Sequence, residues 1–399
     1  MNEGGNIRQA RRLAMMTATL LSVFLGLYYL TSDQGYDFTG HIIGRDFANI
    51  HLGGQLVGQG QTDVLFEPDR YEAAMRQWLG DDYSAHNWSY PPSLFAFAEL
   101  LAQIPYFWSL LLWVGGGVLA LALAARQAGL SPIWIALIVL SPAGAWNLVA
   151  GQNGFFLAAF IVFAVQAGHR GATVPSSVSW ALATIKPHLG LLALPMVLGQ
   201  RRYAVLVGTA LGVCVLVGLS VLLYGADPWV KFFEVTSAQQ RDVAETWRGQ
   251  LLYTMPTAFM QGRLLDLPLA WSYGLQGFVA VLGVWLLWRA WPGQGGTSRD
   301  WLTWLVIGTF VMLPYSFVYD MVLLQFALAL WGRDPESLLR MQDKNKAMFV
   351  WGLVWMSPLI LVFVAVFTKI QFGPILLLWL LWRLGEARPD STAPLEQQG

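Results

Sequence analysis

Apolar residues in this chain come in unbroken runs as long as a lipid bilayer is thick. Residues 13–30 and 203–224 are two of them, and a run of roughly 18 or more apolar residues is a candidate membrane-spanning helix. The composition agrees. Hydrophobic residues make up 56% of the chain and charged residues 12%, with a mean hydropathy of +0.49, whereas a soluble domain carries about 25% charge. The expected class is an all-α integral membrane protein. Acidic and basic residues balance at 24 each, so bulk charge gives no reason to expect a nucleic-acid partner. Cys214 is the single cysteine and falls inside an apolar run, where it has no partner for an internal disulfide. Arg8, Arg11 and Arg12 precede the first run. That run is long and no small-residue cleavage site follows it, so it reads as an uncleaved first span.

Positive residues in short loops favour the cytoplasmic side. With the first three arginines inside, residues 32–89 form a long outer loop, and the chain returns through 92–125 with a kink at Pro105. Residues 132–150 go out and 155–168 come back, which leaves Gly151-Gln152-Asn153 outside. The stretch 174–200 decides the map. As one span it would push Arg201, Arg202, Arg333, Arg340, Lys344 and Lys346 outside; as two short spans broken at Lys186-Pro187-His188 it keeps all six inside. A charged residue beside a proline in mid-segment is tolerated only where it lines protein or water, so the broken pair is expected. Residues 203–224 then go out, 225–268 form a second outer loop, and crossings over 269–288, 301–313, 322–331, 349–366 and 372–382 complete the set. The expected total is about twelve spans, with both termini cytoplasmic. One polytopic domain is expected over residues 1–399: a core of 13–224, the loop 225–268, C-terminal helices over 269–384 and a cytoplasmic tail of 385–399.

The first outer loop has helical spacing. Phe47, Ile50, Gly54 and Val57 keep one period, and Tyr71, Met75, Trp78 and Leu79 keep another after Glu67-Pro68. Both segments read as amphipathic helices lying on the membrane surface. Asp46 opens the first, and from position alone it is equally a helix cap and a catalytic carboxylate. Four polar islands fall at outer span ends: Tyr90-Pro91-Pro92, Gly151-Gln152-Asn153-Gly154, Lys186-Pro187-His188, and residues 315–320 with Asp320. Singly, these are a helix start, a turn, a snorkelling lysine and a partner for some basic group. Together they put Asp46, Gln152, Asn153, Lys186, His188 and Asp320 on one side of the membrane. Ionisable groups at membrane depth cost roughly 2.5–3.5 kcal/mol each, so their convergence points to a functional site.

In this order, the motifs resemble the polyprenyl-phosphate-sugar-dependent glycosyltransferases of glycosyltransferase family 87, of the GT-C fold class. The matching elements are Asp46-Phe47, Gly58 and Leu65-Phe66; Tyr90-Pro91-Pro92, Pro105-Tyr106 and Trp113; Ser141-Pro142 and Gly151-Gln152-Asn153-Gly154; Lys186-Pro187-His188-Leu189-Gly190; Arg201-Arg202-Tyr203; and Pro314-Tyr315 with Tyr319-Asp320. They cover roughly residues 40 to 330. The resemblance implies a GT-C bundle in the plasma membrane, a lipid-linked monosaccharide donor such as a mannose-like sugar on polyprenyl phosphate, a lipid or glycan acceptor, and inverting transfer with Asp46 as base.

The physical logic agrees with that reading. A polyprenyl donor keeps its phosphate at the membrane surface, so its site needs cations there. Lys186 and His188 would hold the phosphate. Asp46 would take the acceptor's proton. Gln152, Asn153, Asp320 and Tyr90 would line the sugar, and Trp88 would stack on its ring. A lipid phosphate can leave without a divalent metal, and no dense acidic cluster calls for one, so neither metal nor cofactor is expected. The rival reading is a transporter or flippase of an amphiphilic substrate. Transporters generally carry repeats and midplane charges, whereas here no repeat is evident and the polar islands sit at one face.

Overall fold

The computed structural model describes residues 3–80, 83 and 86–386. Asp81, Asp82, Ser84, Ala85 and nearly all of the expected tail lie outside the described residues. Every regular element is a helix or a helical turn, as backbone groups in lipid require. The helices are α1 (Glu3–Leu30), α2 (Arg45–Gly58), α3 (Pro68–Leu79), α4 (Phe95–Ala102), α5 (Tyr106–Gln127), α6 (Pro132–Val139), α7 (Pro142–Ala150), α8 (Gly154–His169), α9 (Thr173–Ala183), α10 (Ala193–Gly199) and α11 (Tyr203–Tyr224). They continue with α12 (Asp227–Lys231), α13 (Ser237–Thr246), α14 (Gln250–Thr254), α15 (Ala258–Leu264), α16 (Leu269–Arg289), α17 (Ser298–Met312), α18 (Val322–Leu330), α19 (Pro335–Leu339), α20 (Lys344–Thr368) and α21 (Gly373–Leu384).

Among the described residues five helices are long and apolar enough to cross a membrane: α1 over Arg8–Leu30, α5, α11, α16 and α20. The pair α6 and α7, bent by 61°, adds a sixth if it is counted as one span. The other apolar segments are shorter. α17 and α18 are enclosed along most of their length, and a helix buried all round is apolar all round without contacting lipid. α9 stops at Ala183, and a single turn over Pro187–Gly190 separates it from α10, so the chain breaks at Lys186-Pro187. The expected kink at Pro105 divides the segment 92–125, and α5 alone is long enough to cross. Proline has no N–H to continue a helix, and at Pro105, the cap of α5, the chain turns so that α4 and α5 are separate helices.

α4 is drawn aside because it packs on α2. A Cβ on Gly54 would lie 2.1 Å from the Ala98 carbonyl oxygen, and one on Gly53 would lie 2.2 Å from the Trp88 ring. These two glycines let α2 sit between α4 and Trp88. As a result α2 is buried from Phe47 to Val57 with little interruption, and it is an interior helix, not one lying on a surface. Trp88 is fully buried and donates its indole N–H to the Tyr90 carbonyl at 2.8 Å. It is therefore a packing residue and cannot stack on a sugar as expected. The two segments expected as outer loops touch each other. Lys231 on α12 pairs with Asp63 at 2.7 Å.

Candidate functional site

Asp46 is placed by backbone clamps on the entry to α2. The Tyr106 hydroxyl donates to the carbonyls of Ile43 and Gly44 at 2.8 and 2.9 Å. The Gly44 N–H reaches the Val149 carbonyl at the end of α7 at 3.2 Å. Gly44, at φ 72°, caps the helix, and no side chain caps it. Asp46 therefore sits inside the first turn with its oxygens free for other partners, and the capping alternative does not apply. The turn that meets it must also be glycine. Gly151 has φ +67°, and a Cβ there would lie 2.7 Å from that of Phe47. Its carbonyl is held by the Trp113 indole N–H at 3.0 Å.

This contact carries Gln152 to Asp46. Gln152 Nε2 donates to Asp46 Oδ2 at 2.7 Å, and His86 Nε2 lies 3.2 Å from Oδ1. Arg45 Nε is 3.7 Å from the same oxygen. The imidazole of His86 stacks on Tyr83, whose hydroxyl donates to the Arg45 carbonyl. Burial pushes the Asp46 carboxyl up. The His86 hydrogen bond, the Arg45 guanidinium and Gln152 together outweigh it and hold the group below the ordinary carboxylate value. Asp46 is thus ionised at neutral pH, and its side chain keeps 18% exposure.

Lys186 and Asp320 form the second pole. Lys186 Nζ meets Asp320 Oδ1 at 3.0 Å, with side chains 12% and 1% exposed. The other Asp320 oxygen accepts the Phe317 N–H at 3.2 Å. Lys186 also lies 4.7 Å over the Tyr319 ring, which stacks on Phe317. His188 falls within electrostatic reach of both members of the pair. The 225–268 segment packs against this pole: the Val318 N–H bonds the Thr254 carbonyl of α14 at 2.9 Å, and Thr257 donates to the Pro314 carbonyl.

Tyrosines join the two poles. Burial, then Asp46 and then Asp320 push the Tyr90 phenol far above its ordinary value; for Tyr315 the order is burial, Asp320, Asp46. Both carboxylates therefore lie within electrostatic reach of both phenols. The hydroxyls of Tyr90, Tyr315 and Tyr319 have no hydrogen-bond partner among the described residues, and none is sealed off. Asn147 ties α7 to the Tyr319 segment and to the start of α8. Its amide donates to the Ala143 and Tyr319 carbonyls at 2.9 and 2.8 Å and accepts the Gly154 N–H at 2.8 Å.

The expected residues stand in different circumstances. Asn153 is fully buried, and neither end of its amide has a partner among the described residues. Gln152 is committed to Asp46, and Asp320 to Lys186. His86, Tyr83 and Asn147 do not stand out in the sequence. His86 and Tyr83 come from an irregular stretch without periodicity, and Asn147 reads as one polar residue in an apolar helix.

Comparison with known families decides what this arrangement belongs to. The sequence model of glycosyltransferase family 87 matches residues 88–316, more than half of the chain. The chain belongs to glycosyltransferase family 87. No curated protein and no solved structure matches it. Its family and its apolar helices make it a multi-pass membrane glycosyltransferase that works with a sugar donor and an acceptor. The family-87 match contains Tyr90, Gln152, Asn153, Lys186, His188 and Tyr315. Asp46 precedes it, and Tyr319 and Asp320 follow it.

Proposed function

We propose that this enzyme moves a hexose, mannose-like in class, from a polyprenyl-phosphate donor to a lipid or glycan acceptor with inversion, and that Asp46 is the base. The observation that carries the reading is the pairing of one accessible, ionised carboxylate with one ammonium across a set of unpartnered phenols. In the reaction, an acceptor hydroxyl oxygen bonds to the anomeric carbon as its proton passes to Asp46. The bond from that carbon to the phosphate oxygen breaks on the opposite face. Its electron pair leaves with the polyprenyl phosphate, whose growing charge Lys186 stabilises, with His188 beside it. Tyr90, Tyr315 and Tyr319 offer hydroxyls to the sugar. Gln152 and His86 orient the base, a narrower task than the sugar contact expected of Gln152. The reading includes a GT-C bundle of about twelve membrane segments, with the 32–89 and 225–268 segments outside, both ends cytoplasmic and the plasma membrane as the site of action.

The test is donor choice by the purified protein in lipid. Transfer of labelled hexose from a polyprenyl phosphate, with none from the corresponding nucleotide sugar, is the expected result. Transfer from the nucleotide sugar alone would overturn the donor class.

A further inference from the structure

The far end of the bundle carries a different chemistry. α5 begins at Tyr106, beside the entry to α2, and ends at Gln127. At 1.5 Å per residue this places Arg126 roughly 30 Å away. The turns at that end are tied to one another. Arg11 reaches the Ser131 hydroxyl at 3.3 Å, Arg170 the Gln127 carbonyl, Arg202 the His169 carbonyl at 3.1 Å, and Gln294 the Gly199 carbonyl at 2.7 Å. Arg11, Arg126, Arg170, Arg201, Arg202 and Arg289 therefore share one rim. No carboxylate among the described residues pairs with any of the six. The turns 126–131, 169–172, 199–202 and 289–299 contain no Asp, Glu or Lys.

Two recesses open on this rim. One, of about 290 Å³, lies between α5 and α6, with Leu119, Ala122, Leu123, Pro132 and Ile135 as walls and Arg126 at its edge. The other, of about 600 Å³, is lined by Trp288, Arg289 and Trp291, with the Arg289 guanidinium 5.0 Å from the Trp285 ring. Each sets an arginine with no acid partner against an apolar wall. Leu119 and Trp288 are 61% and 78% exposed, so these walls face outward, away from the core. A guanidinium fork matches a phosphate in two hydrogen bonds, which a point-like ammonium does not, and basic recesses at the ends of membrane helices suit anionic headgroups.

We propose that both recesses are binding sites for anionic phospholipids, with the phosphate diester on Arg126 or Arg289 and an acyl chain along the adjoining apolar wall. The lipids would hold this end of the bundle in the headgroup layer, far from the reacting groups.

The full chain in detergent can be titrated with phosphatidylglycerol or phosphatidylcholine of the same acyl length and the bound lipids counted by native mass spectrometry. The expected result is about tenfold tighter binding of phosphatidylglycerol, the scale of one charge-assisted hydrogen bond. Arg126→Gln and Arg289→Gln should each remove one tight site, while Arg241→Gln on α13 removes none. Equal binding of the two lipids, unchanged tight sites in both Gln variants, or an equal loss in Arg241→Gln would overturn the proposal.

Discussion

Asp46 and Asp320 are the same residue type, feel the same tyrosines and live in opposite conditions. Asp46 stands in the first turn of α2 with 18% of its side chain exposed and its two oxygens bonded by Gln152 and His86. Asp320 has 1% exposure, and both its oxygens are taken, by Lys186 and by the Phe317 N–H. Both carboxylates have each oxygen bonded, so exposure is what separates them. A carboxylate that must receive a proton has to be reached from outside, and one that must keep a buried ammonium in place does not. On the proposed function, the difference between the two regions is a division of labour, with reactivity at the α2 pole and charge placement at the pole packed against the 225–268 segment.

The largest effect should come from breaking the closed pole. Lys186→Met leaves the Asp320 carboxylate buried and uncompensated, which costs about 3–5 kcal/mol of stability, and it removes the cation for the leaving phosphate. The double variant Lys186→Met/Asp320→Leu should regain most of that stability, since a buried ion pair exchanged for apolar side chains is often neutral, while transfer stays lost. Thermal unfolding and transfer measured on the same preparations check both parts. A stable single variant would mean that Asp320 does not depend on Lys186.

At the open pole, chemistry and stability should separate. Asp46→Asn keeps the shape and can still bond its neighbours but cannot take a proton, so turnover should fall by roughly 10²-fold or more at an unchanged melting temperature. Near-normal transfer by a folded Asp46→Asn enzyme would remove the base assignment.

The smallest effect distinguishes the poles by pH. The Asp46 carboxyl is held below its ordinary value. Its contribution to stability is then fully present above the unfolded aspartate value of about 3.9 and is lost as pH falls through the lower folded value. Transfer should accordingly change little between pH 7 and pH 5 on account of this group. An acid limb at pH 5 or above that disappears in the residual activity of Asp46→Asn would contradict the depressed carboxyl.

The sequence makes the surroundings of Asp46 legible and hides its partners. The spacing of Phe47, Ile50, Gly54 and Val57 marks α2 because burial along one helix is periodic. Lys186-Pro187 marks a break because charge and proline are both costly in mid-span. The second covered face of α2 is not visible, since it depends on α4 folding back at Pro105 and on two glycines that tolerate it. The Gln152–Asp46 bond joins residues 106 positions apart and the Lys186–Asp320 bond residues 134 apart, and no local pattern encodes such pairings. Nor does the sequence reveal that Gly44 occupies the cap position, which freed Asp46 from its competing role.

The Asn147 clasp has a consequence for biogenesis. It ties α7 to the Tyr319 carbonyl, 172 residues later in the chain. While the ribosome is still delivering the last third of the protein, Asp46 and Gln152 already exist, yet Tyr319 and Asp320 do not. The glycosyltransferase therefore emerges from synthesis as an unassembled half-site and closes only when the segment between α17 and α18 arrives.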